Sequence, residues 1–177
     1  MDAFEQLVSE TFWREGYWTQ TSVKVDLTKE EKVEIGRHSA PRWEIDVVAY
    51  SGSRNEILAL ECKSFLDSRG VAYPEFLEGH SSTRYKLFRE PVLRKVVMHR
   101  LMADLRAKGY INANSTIKLG LVAGKIRPGD SKLLSDHFIM NGWALFDPEW
   151  LKTKTTALAS SRYSNDVAAV VSKVLLR

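Results

Sequence analysis

Residues 44–65 read EIDVVAYSGSRNEILALECKSF. Two apolar runs flank a polar SGSRN stretch, and their Val, Ile, Leu and Ala content marks them as the strands of a hairpin. Asp46, Glu61 and Lys63 interrupt those runs, although burying an unpaired charge is costly. If Ser51 faces Glu56 across a four-residue loop, Gly52–Asn55, antiparallel pairing sets Asp46 opposite Glu61. Side chains alternate along a strand, so Lys63 shares the face of Glu61. One patch then receives two acids and an ammonium. A one-residue bulge would shift that register.

Working outward, Phe4, Leu7, Val8, Thr11 and Phe12 recur at helical spacing within residues 2–15, and Gly16 ends the run. The stretch YWTQTSVKVDL (17–27) alternates as a strand. Residues 28–42, TKEEKVEIGRHSAPR, are charged and contain Pro41, which reads as a loop. Residues 64–90 show no clean period and read as a long surface insertion. Pro91 opens a helix that Gly109 closes. Leu93, Val96, Val97, Leu101 and Leu105 line one of its faces, with Lys95, His99 and Arg106 on the other. A buried strand (IKLGLVAG, 117–124) and a helix with Asp130 as N-cap follow. WALF (143–146) is a short strand, Asp147–Pro148 begins another helix, and SNDVAAVVSKVLL (164–176) is the last. The order α-β-β-β-α-β, then α-β-α-α, predicts an α/β fold with a central mixed sheet flanked by helices. Residues 1–177 are expected to form one domain, with a core over about 2–125 and a C-terminal helical extension over about 147–177.

Composition supports this frame. With 44% hydrophobic and 27% charged residues the chain is an ordinary globular one. No apolar run approaches the roughly 20 residues that span a bilayer, so no membrane partner is expected. The N-terminal MDAFEQLVSE lacks the basic-then-apolar order of a signal peptide. A single cysteine, Cys62, allows no internal disulfide and suits a cytoplasmic location.

Charge is unevenly divided. Residues 1–80 carry 9 Lys/Arg against 15 Asp/Glu, and residues 81–177 carry 17 against 7. An acidic half can hold a cation and a basic half an anion, a pairing that a polyphosphate with a divalent metal would use. Scattered solubilising charge is the plainer reading. Within 82–108, eight basic residues face two acids, with Tyr85 and Phe88 interleaved. Arg84, Lys86, Lys95, His99 and Arg106 are the candidates for phosphate contact. His38, His80 and His137 have no metal-ligand spacing, so no zinc site is expected. The five tryptophans read as core or half-buried packing. No Walker-type glycine loop is present, which argues against ATP use.

Asp46 in EIDVVAY, the E-x-K of LECKS and an upstream helical acid, Glu5, resemble the PD-(D/E)xK nuclease superfamily, the restriction-endonuclease-like fold. The local wording looks most like its Holliday-junction-resolvase-like and restriction-like branches. One departure is that Glu44-Ile45, not a proline, precede Asp46. The resemblance implies an αβββαβ core and Mg²⁺-dependent hydrolysis of phosphodiester bonds, with Mn²⁺ able to substitute. It also implies that Asp46, Glu61, Glu5 and the backbone carbonyl of Cys62 hold the metal, while Lys63 assists the attacking water. DNA is the expected substrate, and two strands needing two sites favour a homodimer. Two other readings stay open: a catalytically silent nucleic-acid-binding module, and a structural or protein-interaction domain in which Glu61 and Lys63 form a partly buried ion pair.

Overall fold

The computed structural model describes residues 2–37, 39, 42–160 and 166–176. His38, Pro41 and the first two residues of the last predicted helix, Ser164 and Asn165, lie outside the described residues. Helix α1 (Ala3–Arg14) starts at Asp2, whose carboxylate accepts the Phe4 N–H at 2.7 Å. Strand β1 is Trp18–Val25, and the hairpin strands are β2 (Trp43–Ser51) and β3 (Glu56–Lys63). Helix α4 (Pro91–Ala107) is followed by β4 (Thr116–Ala123), α5 (Ser131–Met140) and β5 (Ala144–Phe146). Helices α6 (Pro148–Ser160) and α7 (Val167–Leu176) complete the chain.

The molecule is an α/β protein with one open sheet, ordered β1-β2-β3-β4-β5. Strands β1, β2 and β3 pair antiparallel, whereas β3, β4 and β5 pair parallel. Both faces are covered. On one, α4 and α5 contribute Leu93, Val97, Leu101, Leu134 and Phe138 to a large core over Val48, Ile57, Ala59 and Leu121. On the other, Phe4, Val8 and Phe12 of α1 pack with Leu151 of α6 on Val47, Ala49, Leu58 and Leu60. Gly120 lets β3 and β4 meet, because a Cβ there would lie 2.8 Å from Leu60 Cδ2. No helix among the described residues is long and apolar enough to cross a membrane.

Four expectations are corrected. Residues 28–42 are not all loop: Lys29–Glu34 form a short helix, α2, nucleated by a capping box. Thr28 Oγ1 accepts the Glu31 N–H, and the Glu31 carboxylate accepts the Thr28 N–H. Residues 64–90 are not a surface excursion, since Phe76, Tyr85, Leu87 and Phe88 are buried in the large core. That segment contains a 3₁₀ turn (Tyr73–Phe76) and one turn of helix, α3 (Lys86–Arg89). Asp130 stands at the N-cap of α5 but does not cap it. Its carboxylate accepts the Tyr73 N–H at 2.8 Å and pairs with Arg127, tying the insertion to the parallel side of the sheet. Finally, Trp13 and Trp18 are 52% and 69% exposed and stack edge to face on each other at the surface.

Candidate functional site

The hairpin pairs as its turn length predicts. Ser51 faces Glu56, and the register continues to Val47 opposite Leu60. The next step would join Asp46 to Glu61, but the ladder stops there, and Asp46 is also missing from the β1 ladder, which passes from Thr21↔Val47 to Val23↔Ile45. Opposite this gap Ser22 adopts φ +51°, a left-handed conformation that costs a non-glycine residue about 1–3 kcal/mol. Alternation slips at the same point. Val47 and Ala49 belong to the small core, yet Ile45 joins Val48 in the large one. The strand therefore turns about Asp46, and its carboxylate takes the place of a backbone partner: Oδ2 accepts the Cys62 N–H at 2.7 Å.

Glu61 and Lys63 extend the β3 face that buries Ile57 and Ala59, so they form the polar end of an apolar surface. Lys63 Nζ lies 2.6 Å from Glu61 Oε1 and 3.4 Å from Asp46 Oδ2. The parallel neighbour fixes this end of the strand. Ala123 pairs with Lys63, and the Gly124 N–H donates to the Lys63 carbonyl at 2.8 Å. A Cβ at Gly124 would approach the Ser64 carbonyl oxygen to 2.5 Å, so glycine is required for that contact. The three charged side chains are between 17% and 23% exposed, low enough to strengthen their interactions and high enough for a small ion to reach them. The site lies at the carboxyl end of the parallel strands, where open α/β sheets commonly bind ligands.

Helix α1 brings Glu5 to the same place. Its Oε2 accepts the Ser22 hydroxyl at 3.4 Å. Burial and then the Asp46 carboxylate raise the Glu5 pKa above the ordinary glutamate value. The other acids of α1 are engaged elsewhere: Glu10 accepts the Ala168 N–H at α7, and Glu15 pairs with Lys154. Glu61 is also held high, by burial first, with Asp46 and Glu5 adding to it and Lys63 opposing. Burial draws the Lys63 pKa down, but Glu61 and Asp46 outweigh it and the net shift is upward. Lys63 is therefore an ammonium here. The Cys62 thiol faces the small core, and burial followed by Asp46 pushes its pKa well above the usual thiol value, which leaves it inert.

The phosphate-contact candidates scatter. Arg84 is brought near the site, its guanidinium 5.2 Å over the ring of Phe65, two residues beyond Lys63. Lys86 is half-buried at the start of α3, and Lys95, His99 and Arg106 are exposed on α4. Arg106 donates to the carbonyl of Ser115, just before β4, so it stands a strand length from Lys63, about 25 Å. Sequence reasoning missed Ser22, Tyr85 and Glu75 as neighbours of the site. Only the alternation of the Asp46 strand with β1 could have pointed to Ser22, and nothing local points to the other two.

Mg²⁺ takes carboxylate oxygens and keeps several of its waters. Asp46 Oδ1 and Glu61 Oε2 take no hydrogen bond from the described residues, which leaves one oxygen on each of two adjacent strands. Among the described residues no three His, Cys, Asp or Glu side chains gather as a complete ligand set. An ion here would draw on these two carboxylates together with main-chain oxygen or water, a donor set that suits Mg²⁺ better than zinc. Comparisons of the chain with protein-family models, curated proteins and solved structures give no match.

Proposed function

We propose that this chain is a metal-dependent nuclease of the restriction-endonuclease-like fold that hydrolyses phosphodiester bonds of nucleic acid, with DNA as substrate. One observation carries the reading: Lys63 Nζ lies 2.6 Å from Glu61 and 3.4 Å from Asp46, on neighbouring strands and within reach of solvent. The element order α1-β1-β2-β3-α4-β4, interrupted only by short helical turns, supports the fold.

In this reading Asp46 and Glu61 hold a divalent ion, with Glu5 beside them. A bound Mg²⁺ or Mn²⁺ supplies Lewis-acid activation of water and neutralises charge on the phosphate. The chain's own groups do the rest. In the metal-free protein Lys63 is held as an ammonium, a cation that can orient the water and stabilise negative charge on the phosphate. Arg84, lying over Phe65, offers a further cation to the nucleic-acid backbone. A homodimer supplies two such sites, one for each strand of a duplex.

The test is a panel of plasmid, linear duplex, four-way junction, single-stranded DNA and RNA, each incubated with Mg²⁺ or Mn²⁺. Cleavage of at least one DNA by the wild type, and none by Asp46→Asn, is expected. No cleavage across the panel, or cleavage retained in the variant, overturns the reading. Salt-sensitive binding without cleavage would instead define a binding module.

One observation favours a second reading. Lys63 already contacts both carboxylates, so the cluster could be a structural ion pair. Thermal midpoints decide between the two: Mn²⁺ or Ca²⁺ should raise that of the wild type and leave that of Asp46→Asn unmoved, because an ion that binds only the folded state stabilises it.

A further inference from the structure

We propose that Tyr85 and Glu75 hold the water shell of a divalent ion bound at Asp46 and Glu61, so that the 64–90 segment is part of the metal site. This rests on the proposed function and deepens it.

Two atoms motivate it. The Tyr85 hydroxyl is buried, in a residue only 3% exposed, and has no hydrogen-bond partner among the described residues. Glu75 Oε2 is buried and likewise has none. A buried polar atom left unsatisfied is destabilising, so each calls for a partner. Arg84 joins the two to the site: it precedes Tyr85, its Nη1 is 3.9 Å from Glu75 Oε1, and its guanidinium lies 5.2 Å over Phe65, two residues beyond Lys63. The Glu75 and Glu61 carboxylates both act on the Tyr85 hydroxyl electrostatically.

The chain holds them there at a cost. Tyr85 has φ +55° and Phe65 has φ +46°, rare conformations for bulky residues. Ser22, opposite Asp46, also has a positive φ. The Tyr85 ring stacks on Phe76, the residue after Glu75, with centroids 4.3 Å apart. Arg89 donates to the carbonyls of His80, Ser82 and Arg84 and so fixes the loop that delivers Tyr85. Arg84 Nη1 lies 3.9 Å from Glu75 Oε1, leaving Oε2 as the free acceptor.

The chemistry matches. Mg²⁺ and Mn²⁺ in a site with few protein ligands retain waters, and the ion's charge makes those waters strong donors. The Glu75 carboxylate oxygen and the Tyr85 phenolic oxygen, on the segment that follows Lys63, are acceptors of the kind such waters need. Arg84 offsets part of the Glu75 charge, which fits Glu75 for bonding to bound water and not for direct ligation. Groups that orient the ligands of a metal in this way commonly change its affinity about 10–100-fold when altered.

Mn²⁺ binding to the full chain, read by calorimetry and by the spin-resonance signal of free Mn²⁺, tests this in Tyr85→Phe, Glu75→Gln and Asp46→Asn. Tyr85→Phe keeps the ring stack, so its metal-free thermal midpoint should stay the same or rise. Its Mn²⁺ affinity should fall about 10-fold, and that of Glu75→Gln by about 10-fold or more. Wild-type affinity in both variants, with binding lost in Asp46→Asn, overturns the proposal and leaves the nuclease reading standing. No Mn²⁺ binding by the wild type, or full binding by Asp46→Asn, overturns both.

Discussion

Two walls bound the carboxylate site, and they are built in opposite ways. The β2–β3 hairpin places Asp46, Glu61 and Lys63 by repetition: a fixed register, a two-residue period and one slip. The 64–90 wall has no repeating pattern. Its Phe76, Tyr85 and Phe88 pack on one another, Phe76 and Phe88 pack on Phe138 of α5, and a single arginine gathers three of its carbonyls. The first wall supplies charge and the second supplies enclosure. A regular ladder is good at setting charges a known distance apart. It is poor at covering them, because both of its edges must pair with further strands.

Removing charge from the first wall should have the largest effect. Lys63→Ala is expected to slow DNA cleavage about 10²–10⁴-fold, while DNA affinity stays within about twofold. Single-turnover cleavage and a binding titration at fixed salt measure the two. Residual turnover within tenfold of the wild type would return Lys63 to a purely structural role and remove the division of labour between the walls.

The second wall should fail by unfolding instead. Phe76 is 2% exposed, and Phe76→Ala should destabilise the protein by about 3–5 kcal/mol in urea denaturation. In the same segment Leu66 is 63% exposed, and Leu66→Ala should change stability by less than about 0.5 kcal/mol. Equal, small effects at both positions would mean that the segment is the loose insertion its composition suggests.

The contrast also explains what could be read beforehand. The hairpin was legible because Ser51, Glu56 and the polar residues between them fix a register, which runs to Val47↔Leu60 and stops one step short of the Asp46–Glu61 pairing it implied. Helix α4 was legible from Pro91 and Gly109. Helix α2 left a signal that its uniform charge masked: Thr28 and Glu31 have capping-box spacing, but none of its residues is buried, so no apolar period marks it. Phe76 and Phe88 gave none, because their partners Phe138 and Trp143 lie far along the chain, and Tyr85 packs in turn on those two rings. The slip at Asp46 was equally hidden, since it depends on Ser22 taking a positive φ that serine rarely adopts. Asp130 looked like a helix cap and is a tether, because a backbone N–H from the distant Tyr73 competes for its carboxylate. Local pattern set the charged wall. Distant contacts set the other.

A small pH-dependent effect separates the catalytic reading of the first wall from the structural one. Burial, reinforced by Asp46 and Glu5, holds the Glu61 pKa above its ordinary value in spite of Lys63. An acid whose folded pKa is raised binds more protons in the native state than in the unfolded one across that interval. Its contribution to stability is therefore present at low pH and lost as pH rises from about 4.3 through the raised value. Lys63, raised by Glu61 and Asp46 against burial, stays charged throughout and loses its contribution only above about pH 10.4. The difference in unfolding free energy between wild type and Glu61→Gln, measured without metal from pH 4.5 to 6.5, should fall by about 1 kcal/mol or less. With Mn²⁺ the same difference should rise with pH, since ion binding needs the carboxylate deprotonated. A metal-free difference that climbs with pH would mean that Lys63 outweighs burial and that Glu61 is held as a committed ion-pair partner, a group with no proton to give up to an incoming cation.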